Sequence, residues 1–320
     1  MKRGLGIASS LLIAALIASC GGGGGGSSST SYTGLMTPAV VTDNNASDIA
    51  LEAFQGGDLA ANTGLVLAPA GAGGVPAGTA QPKALTVVRA LTKAAVSAIR
   101  PAAAGPSARA VVTVDNVIDD GQGGQASYTL SVDDATGIFT GTFAFLNFHG
   151  DGGGVLNGNV VVAGSVAPDF LHILFNFQSV QIVDVDSDVH ATGTVDLAID
   201  MTQMSDSGAA TLNMVFTDAV SQKTLWLSNY RLTNTVGTGY NDVTLSGRVY
   251  LHDYGYVDVA TAIPFHYLEG ATHPASGQMT VTGNGNKGVR LTADSETQVT
   301  LDVDSDADGL YDDLHITVSW

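Results

Sequence analysis

From Ala110 to Trp320 apolar and polar residues alternate with a period of two. Tyr128, Leu130 and Val132 interleave with Ser127, Thr129 and Ser131, and Val195, Leu197, Ile199 and Met201 with Thr194, Asp196, Ala198 and Asp200. Val243, Leu245, Gly247, Val249 and Leu251 continue the scheme, as do Val299, Leu301 and Val303. The chain ends with Leu314, Ile316, Val318 and Trp320 on one face and His315, Thr317 and Ser319 on the other. Side chains of a strand point alternately to opposite faces, so this pattern predicts antiparallel strands with one buried and one wet face. Clusters of Gly, Asn and Asp separate about a dozen such segments, and no helical period intervenes, which excludes a βαβ architecture. Gly141, Gly158, Gly193, Gly247 and Gly277 each stand near the start of a strand, where glycine marks a bulge or bend. Repeated bends let a long meander coil on itself. The predicted fold is mainly β: an antiparallel meander forming a curved sheet, barrel or half-barrel, with a β-sandwich as the alternative.

Residues 33–109 differ, being rich in Ala, Gly and Pro. Two short helices are expected there. One starts at Ser47 as N-cap, with Asp48 in its first turn and Ile49, Leu51 and Phe54 as apolar positions. The other follows Pro82 and runs to Ile99, where Pro101 stops it. Its Lys83, Arg89, Lys93 and Arg100 suit packing against an acidic β-domain, with a membrane surface as the other reading.

The N-terminus carries an address. Lys2 and Arg3 precede an apolar run, and Ile17-Ala18-Ser19-Cys20 places small residues at a cut, as a secretory signal does. The run from Gly4 to Ser19 is 16 residues, short of the roughly 20 that span a bilayer. Cys20 is the only cysteine, so no internal disulfide is possible. The tetrad resembles a bacterial lipobox, which implies that residues 1–19 are removed and the Cys20 thiol is lipidated. Gly21 follows, not Asp, and in such lipoproteins that implies export to the outer membrane, facing the periplasm or the cell surface. Residues 20–32, mostly Gly and Ser, form a flexible tether. Lipobox, polyglycine tether, Ala-rich region and β-domain together resemble lipoproteins of Gram-negative bacteria.

The net charge is −18, and only Glu52, Glu269 and Glu296 among the 30 acidic residues are glutamate. Such a surface repels nucleic acid and anionic head groups. The clearest motif lies in the hairpin 297–320: Asp304-Ser305-Asp306-Ala307-Asp308-Gly309-Leu310-Tyr311-Asp312-Asp313. A hard divalent cation takes six to eight oxygens, so carboxylates at alternate positions converge on it, with a glycine for the turn. The expected Ca²⁺ ligands are Asp304, Asp306, Asp308, the Leu310 carbonyl and Asp312, at the weak ~10⁻⁴–10⁻³ M affinity of extracellular modules. The run resembles the calcium loops of EF-hands and thrombospondin type 3 repeats, except that His315 stands where an EF-hand has its bidentate glutamate. The plainer reading is a solvated acidic turn that protects a hairpin edge. Asp184-Val185-Asp186-Ser187-Asp188 lacks the turn glycine and reads first as an exposed strand or turn.

The seven histidines form no zinc spacing, and Gly283-Asn284-Gly285-Asn286-Lys287-Gly288 sits between strands as a hairpin turn, not a phosphate cradle. No catalytic constellation emerges. The leading expectation is therefore a non-enzymatic, lipid-anchored, calcium-stabilised module that binds an apolar ligand, a glycan or an envelope protein. A glycan hydrolase is one alternative, for which Trp226, Tyr230, Tyr250, Tyr254, Tyr256 and Tyr267 would line the cleft. An integral outer-membrane barrel, suggested by the terminal Trp320, is the other.

Overall fold

The computed structural model describes residues 31–54, 111–133, 135–149, 155–167, 169–183, 188–200, 207–271 and 273–320. Cys20, the tether, the helix expected after Pro82 and residues 184–187 lie outside these. The strands are β1 (Val111–Asp119), β2 (Gln125–Asp133), β3 (Ile138–His149), β4 (Val155–Ala167), β5 (Phe170–Val183), β6 (Asp188–Asp200) and β7 (Gly208–Asp218). They continue as β8 (Thr224–Gly237), β9 (Tyr240–Leu251), β10 (Gly255–Leu268), β11 (Ser276–Thr282), β12 (Gly288–Ser295), β13 (Gln298–Asp304) and β14 (Leu314–Ser319). All fourteen join one sheet in sequence order, each antiparallel to its neighbours. The expected meander is present as one open sheet, with β1 and β14 at its edges rather than paired to each other. A two-sheet sandwich is not formed by the described strands.

The alternation decides the inner face. Phe139 and Phe143 on β3, Ile173 and Phe175 on β5, Leu227 and Leu232 on β8, and Val299 and Leu301 on β13 belong to one continuous buried core. Outward rows carry Ser131 and Thr129, Asp196 and Thr194, Arg248 and Ser246, Arg290 and Thr292, and Asp302 and Thr300.

Bulges bend the strands where the glycines suggested. In β8 one extra residue falls at Ser228–Asn229 opposite Asn213 of β7, with Asn229 at φ +47 and its N–H donating to Asn213 Oδ1 at 2.8 Å. β3 repeats the device: Asn147, at φ +48, donates its N–H to Asn157 Oδ1 at 2.8 Å. On β9, Gly247 at φ +133 faces the β8 bulge, and a Cβ there would stand 2.7 Å from the Asn229 carbonyl oxygen. The inner space beside Gly247 goes to Tyr230, which is fully buried. Gly158, Gly193 and Gly277 share the same positive-φ conformation, whereas Gly141 does not. A bulge strengthens local twist and bends its strand, so this succession curls the sheet around its apolar face.

The helix α1 covers residues 46–54 and lies on that face. Ala46, Ile49, Ala50 and Ala53 follow the i, i+3, i+4, i+7 spacing of one stripe and are all buried. Phe54 meets Phe265 at 5.1 Å and Trp320 at 4.8 Å between ring centroids. Leu51 is only partly buried. The cap stands two residues before the expected Ser47: the Asn45 carbonyl accepts the first helical bond, from Ile49 N–H. Asn45 Oδ1 accepts from Thr42 N–H (2.8 Å), and its amide donates to the Val40 carbonyl. The preceding strap, from residue 31, crosses one rim of the sheet. Ala39 N–H donates to the Tyr256 carbonyl, and its own carbonyl accepts from Asn284 N–H.

Candidate metal centre

The β13–β14 turn lies on the rim that the strap crosses. β13 delivers Asp304 to the mouth of this turn, where it is 2% exposed. Its Oδ1 accepts from Ala307 N–H at 2.7 Å and its Oδ2 from Gly309 N–H at 3.0 Å. Ala307 and Gly309 stand at φ +70 and +85, conformations that fold the run back on itself. Asp313 closes the loop from the other side: its Oδ2 accepts from Ser305 N–H (2.6 Å), Ser305 Oγ (3.0 Å) and Asp306 N–H (3.2 Å). Those bonds hold its carboxyl below the usual aspartate range, the Ser305 N–H contributing most.

One carboxylate oxygen each of Asp304, Asp306 and Asp313 lies within 4.8 Å of the others, and the described residues hold no other such group of three. Carboxylates at that spacing repel one another. A divalent cation relieves that repulsion, and hard oxygen donors are what Ca²⁺ takes. The N–H bonds leave each carboxylate with unused lone pairs, so the donor set fits.

Asp304 and Asp306 join this group as the motif suggests. Asp308 lies outside it, its Oδ1 accepting from Leu310 N–H at 2.7 Å. Leu310 exposes its side chain at the loop's outer tip, and Asp312 is likewise exposed and outside the group. Asp313, which the motif does not single out, takes the third place in the group. Its N–H bonds the Val303 carbonyl, next to the Val303–Leu314 pair, so it extends the ladder and faces the turn. Counting back from the apolar Leu314 was the available signal, but the EF-hand spacing pointed to Asp312 instead.

A second tier steadies the loop. Asp302 accepts from Arg290 at 2.8 Å and contacts His315 Nδ1 at 2.6 Å. Burial raises the Asp302 pKa, yet Arg290 and His315 outweigh it and the net direction is down. His315 is thus engaged by Asp302. Arg290 also lies 5.1 Å over the Tyr311 ring, whose hydroxyl pKa rises through burial and then the Asp304 charge.

The remaining chemistry-bearing residues are dispersed. His149, His172, His190 and His266 each pair with one aspartate, at 2.7, 2.6, 3.6 and 2.7 Å. Of the second aspartate run only Asp188 is described, where it accepts from the Gln181 amide at 2.9 Å. The Gly283–Gly288 segment is the expected hairpin turn, and its Asn284 N–H is spent on the strap. Tyr230 and Tyr267 are core residues, whereas Trp226, Tyr250 and Tyr256 adjoin one another on the outer face. Tyr254 turns to Asp48 of α1, its hydroxyl 3.1 Å from the carboxylate. Comparison with protein-family models, curated proteins and solved structures returns no match for this chain.

Proposed function

We propose that this chain is a lipid-anchored envelope protein, held in the outer membrane through Cys20 and a Gly/Ser tether. Its β-domain is a non-enzymatic binding or structural module whose Asp304–Asp313 loop takes up Ca²⁺. One observation carries the reading: the sheet turns its apolar rows inward and Thr, Ser, Asp and Arg outward. A barrel in lipid needs the reverse polarity, so a water-facing domain requires a separate anchor, and the lipobox-like tetrad supplies one. The terminal aromatic has a local occupation that competes with the barrel reading. Trp320 packs on Phe54, stacks on His273 at 5.4 Å and donates from Nε1 to the Ser295 carbonyl.

A two-carboxylate hydrolase finds no support on the aromatic outer face. Asp258 is the single acid lining the depression there, and Arg248 holds it. The test is acylation in a Gram-negative host with a labelled fatty acid. The wild-type chain is expected to take up label and sediment with the outer membrane, while Cys20→Ser loses both. A Cys20→Ser chain that stays in the membrane and resists carbonate extraction would instead mark an integral barrel.

A further inference from the structure

Short polar side chains cover the outer face along strands such as β2, β6, β12 and β13. Around β8–β10 it is different. Trp226 stacks on Tyr250 (4.2 Å, 17°), Tyr250 meets Tyr256 at 5.3 Å, and Tyr32 arrives on the strap to touch both Trp226 and Tyr250. Beside this cluster the β8 bulge opens a shallow depression of about 370 Å³, lined by Ser228, Asn229, Gly247, Arg248, Tyr250, Asp258 and Val259. That volume lies at the small end of the range for ligand sites.

The polar groups of the depression fall into two sets. Arg248 is fixed: it donates twice to Asp258, at 2.8 and 2.9 Å, and lies 3.9 Å over the Tyr256 ring. The pair is neutral overall, and each Asp258 oxygen keeps an unused lone pair. Ser228 Oγ and the Asn229 carboxamide, by contrast, make no hydrogen bond with the described residues; only the Asn229 backbone is tied down, to Asn213. A planar carboxylate, a planar amide and a hydroxyl therefore line one depression beside Tyr250, on a backbone fixed by a bulge. The sister bulge at Asn147 has no arginine or tryptophan among its described ring and ion-pair neighbours.

Charge selects among ligands. An anion meets the field of a −18 chain, and a cation finds Asp258 already neutralised by Arg248. An apolar ligand would strip water from Asp258, Asn229 and Ser228 without replacing its hydrogen bonds. A neutral polyhydroxylated ligand fits: its hydroxyls both donate and accept, which matches the carboxylate, amide and hydroxyl that line the depression. We infer that the β8-bulge depression is a binding site for a neutral oligosaccharide, with Asp258, Asn229 and Ser228 as its hydrogen-bonding groups. This rests on the reading of the domain as a binding module and supplies its ligand class.

The test is calorimetric titration of the full-length chain in mild detergent with three neutral tetrasaccharides. These are α-1,4-glucose, β-1,4-glucose and β-1,4-N-acetylglucosamine oligomers. At least one is expected to bind with Kd near or below about 1 mM. Ser228→Ala/Asn229→Gly should weaken it at least tenfold with an unchanged unfolding midpoint, since glycine tolerates the positive φ of residue 229. Silence from all three sugars, or equal affinity in that variant, overturns the site. Acylation of Cys20 is scored on the same preparation, so a silent titration with normal labelling removes the sugar site and leaves the anchor standing.

Discussion

Asp313 shows what one side chain does for the loop. Unfolded, its carboxyl binds a proton at the ordinary aspartate value of about 3.9. Folded, the Ser305 and Asp306 N–H groups favour the ionised form, so the proton binds only at lower pH. Its contribution is therefore complete above about pH 4 and is lost as the pH falls through that value and then through the lower folded value. Asp302 and Asp120 act with the same sign; for both, burial pushes up and hydrogen bonds from neighbours prevail. The unfolding midpoint should fall between pH 5 and 3, and Asp313→Asn should flatten that fall. A variant with the wild-type pH profile would show that the carboxylate is not engaged as described. At the opposite extreme, Tyr32 is pushed up to about 12 by burial, Tyr250 and Asp253. Its raised value favours the neutral phenol in the folded chain, so that share of stability is present below pH 10 and lost towards 12. The residue scale is also where the sequence was least legible. The adjacent Asp312 and Asp313 are equivalent by composition, and only the ladder register decides which one faces the turn.

At the scale of elements, period-two alternation sufficed to find the strands, because a one-residue slip would expose every apolar side chain. The glycines sufficed to find most of the bends. What they could not reveal was the partner of each bend, since the Asn213–Asn229 and Asn147–Asn157 bonds join residues on different strands. The helix start moved from Ser47 to Asn45 for a similar reason. Thr42 donates to Asn45 Oδ1 and the Asn45 amide donates to the Val40 carbonyl, which together fix the turn before the helix. Two substitutions separate geometry from mere glycine content. Gly247→Ala meets the Asn229 carbonyl as well as an unfavourable φ and should cost about 1–3 kcal/mol. Gly239→Ala, at φ +78 with open space around it, should cost no more than about 1 kcal/mol. Equal losses in denaturant titrations would argue against a bulge-driven bend. Phe54→Ala, removing the ring between Phe265 and Trp320, should cost about 3–5 kcal/mol.

The described residues form an acidic sheet rolled around an apolar face, with the strap that begins at residue 31 reaching the same rim as the Asp304–Asp313 loop. Alternation gave no hint of whether the last strand would meet the first, because closure depends on accumulated twist and bend rather than on any residue pair. At −18 the chain repels itself, so added NaCl should raise its unfolding midpoint by screening alone. A specific cation must do more than that at equal ionic strength. The decisive measurement is thermal unfolding of the full-length chain at fixed ionic strength, with millimolar Ca²⁺ and with EDTA, beside Asp304→Asn/Asp306→Asn. Binding to the folded loop stabilises by about 1.4 kcal/mol at ten times Kd. The expected result is a higher midpoint in Ca²⁺ for the wild type and none for the variant. No shift, or the same shift in both, would contradict a calcium-closed loop.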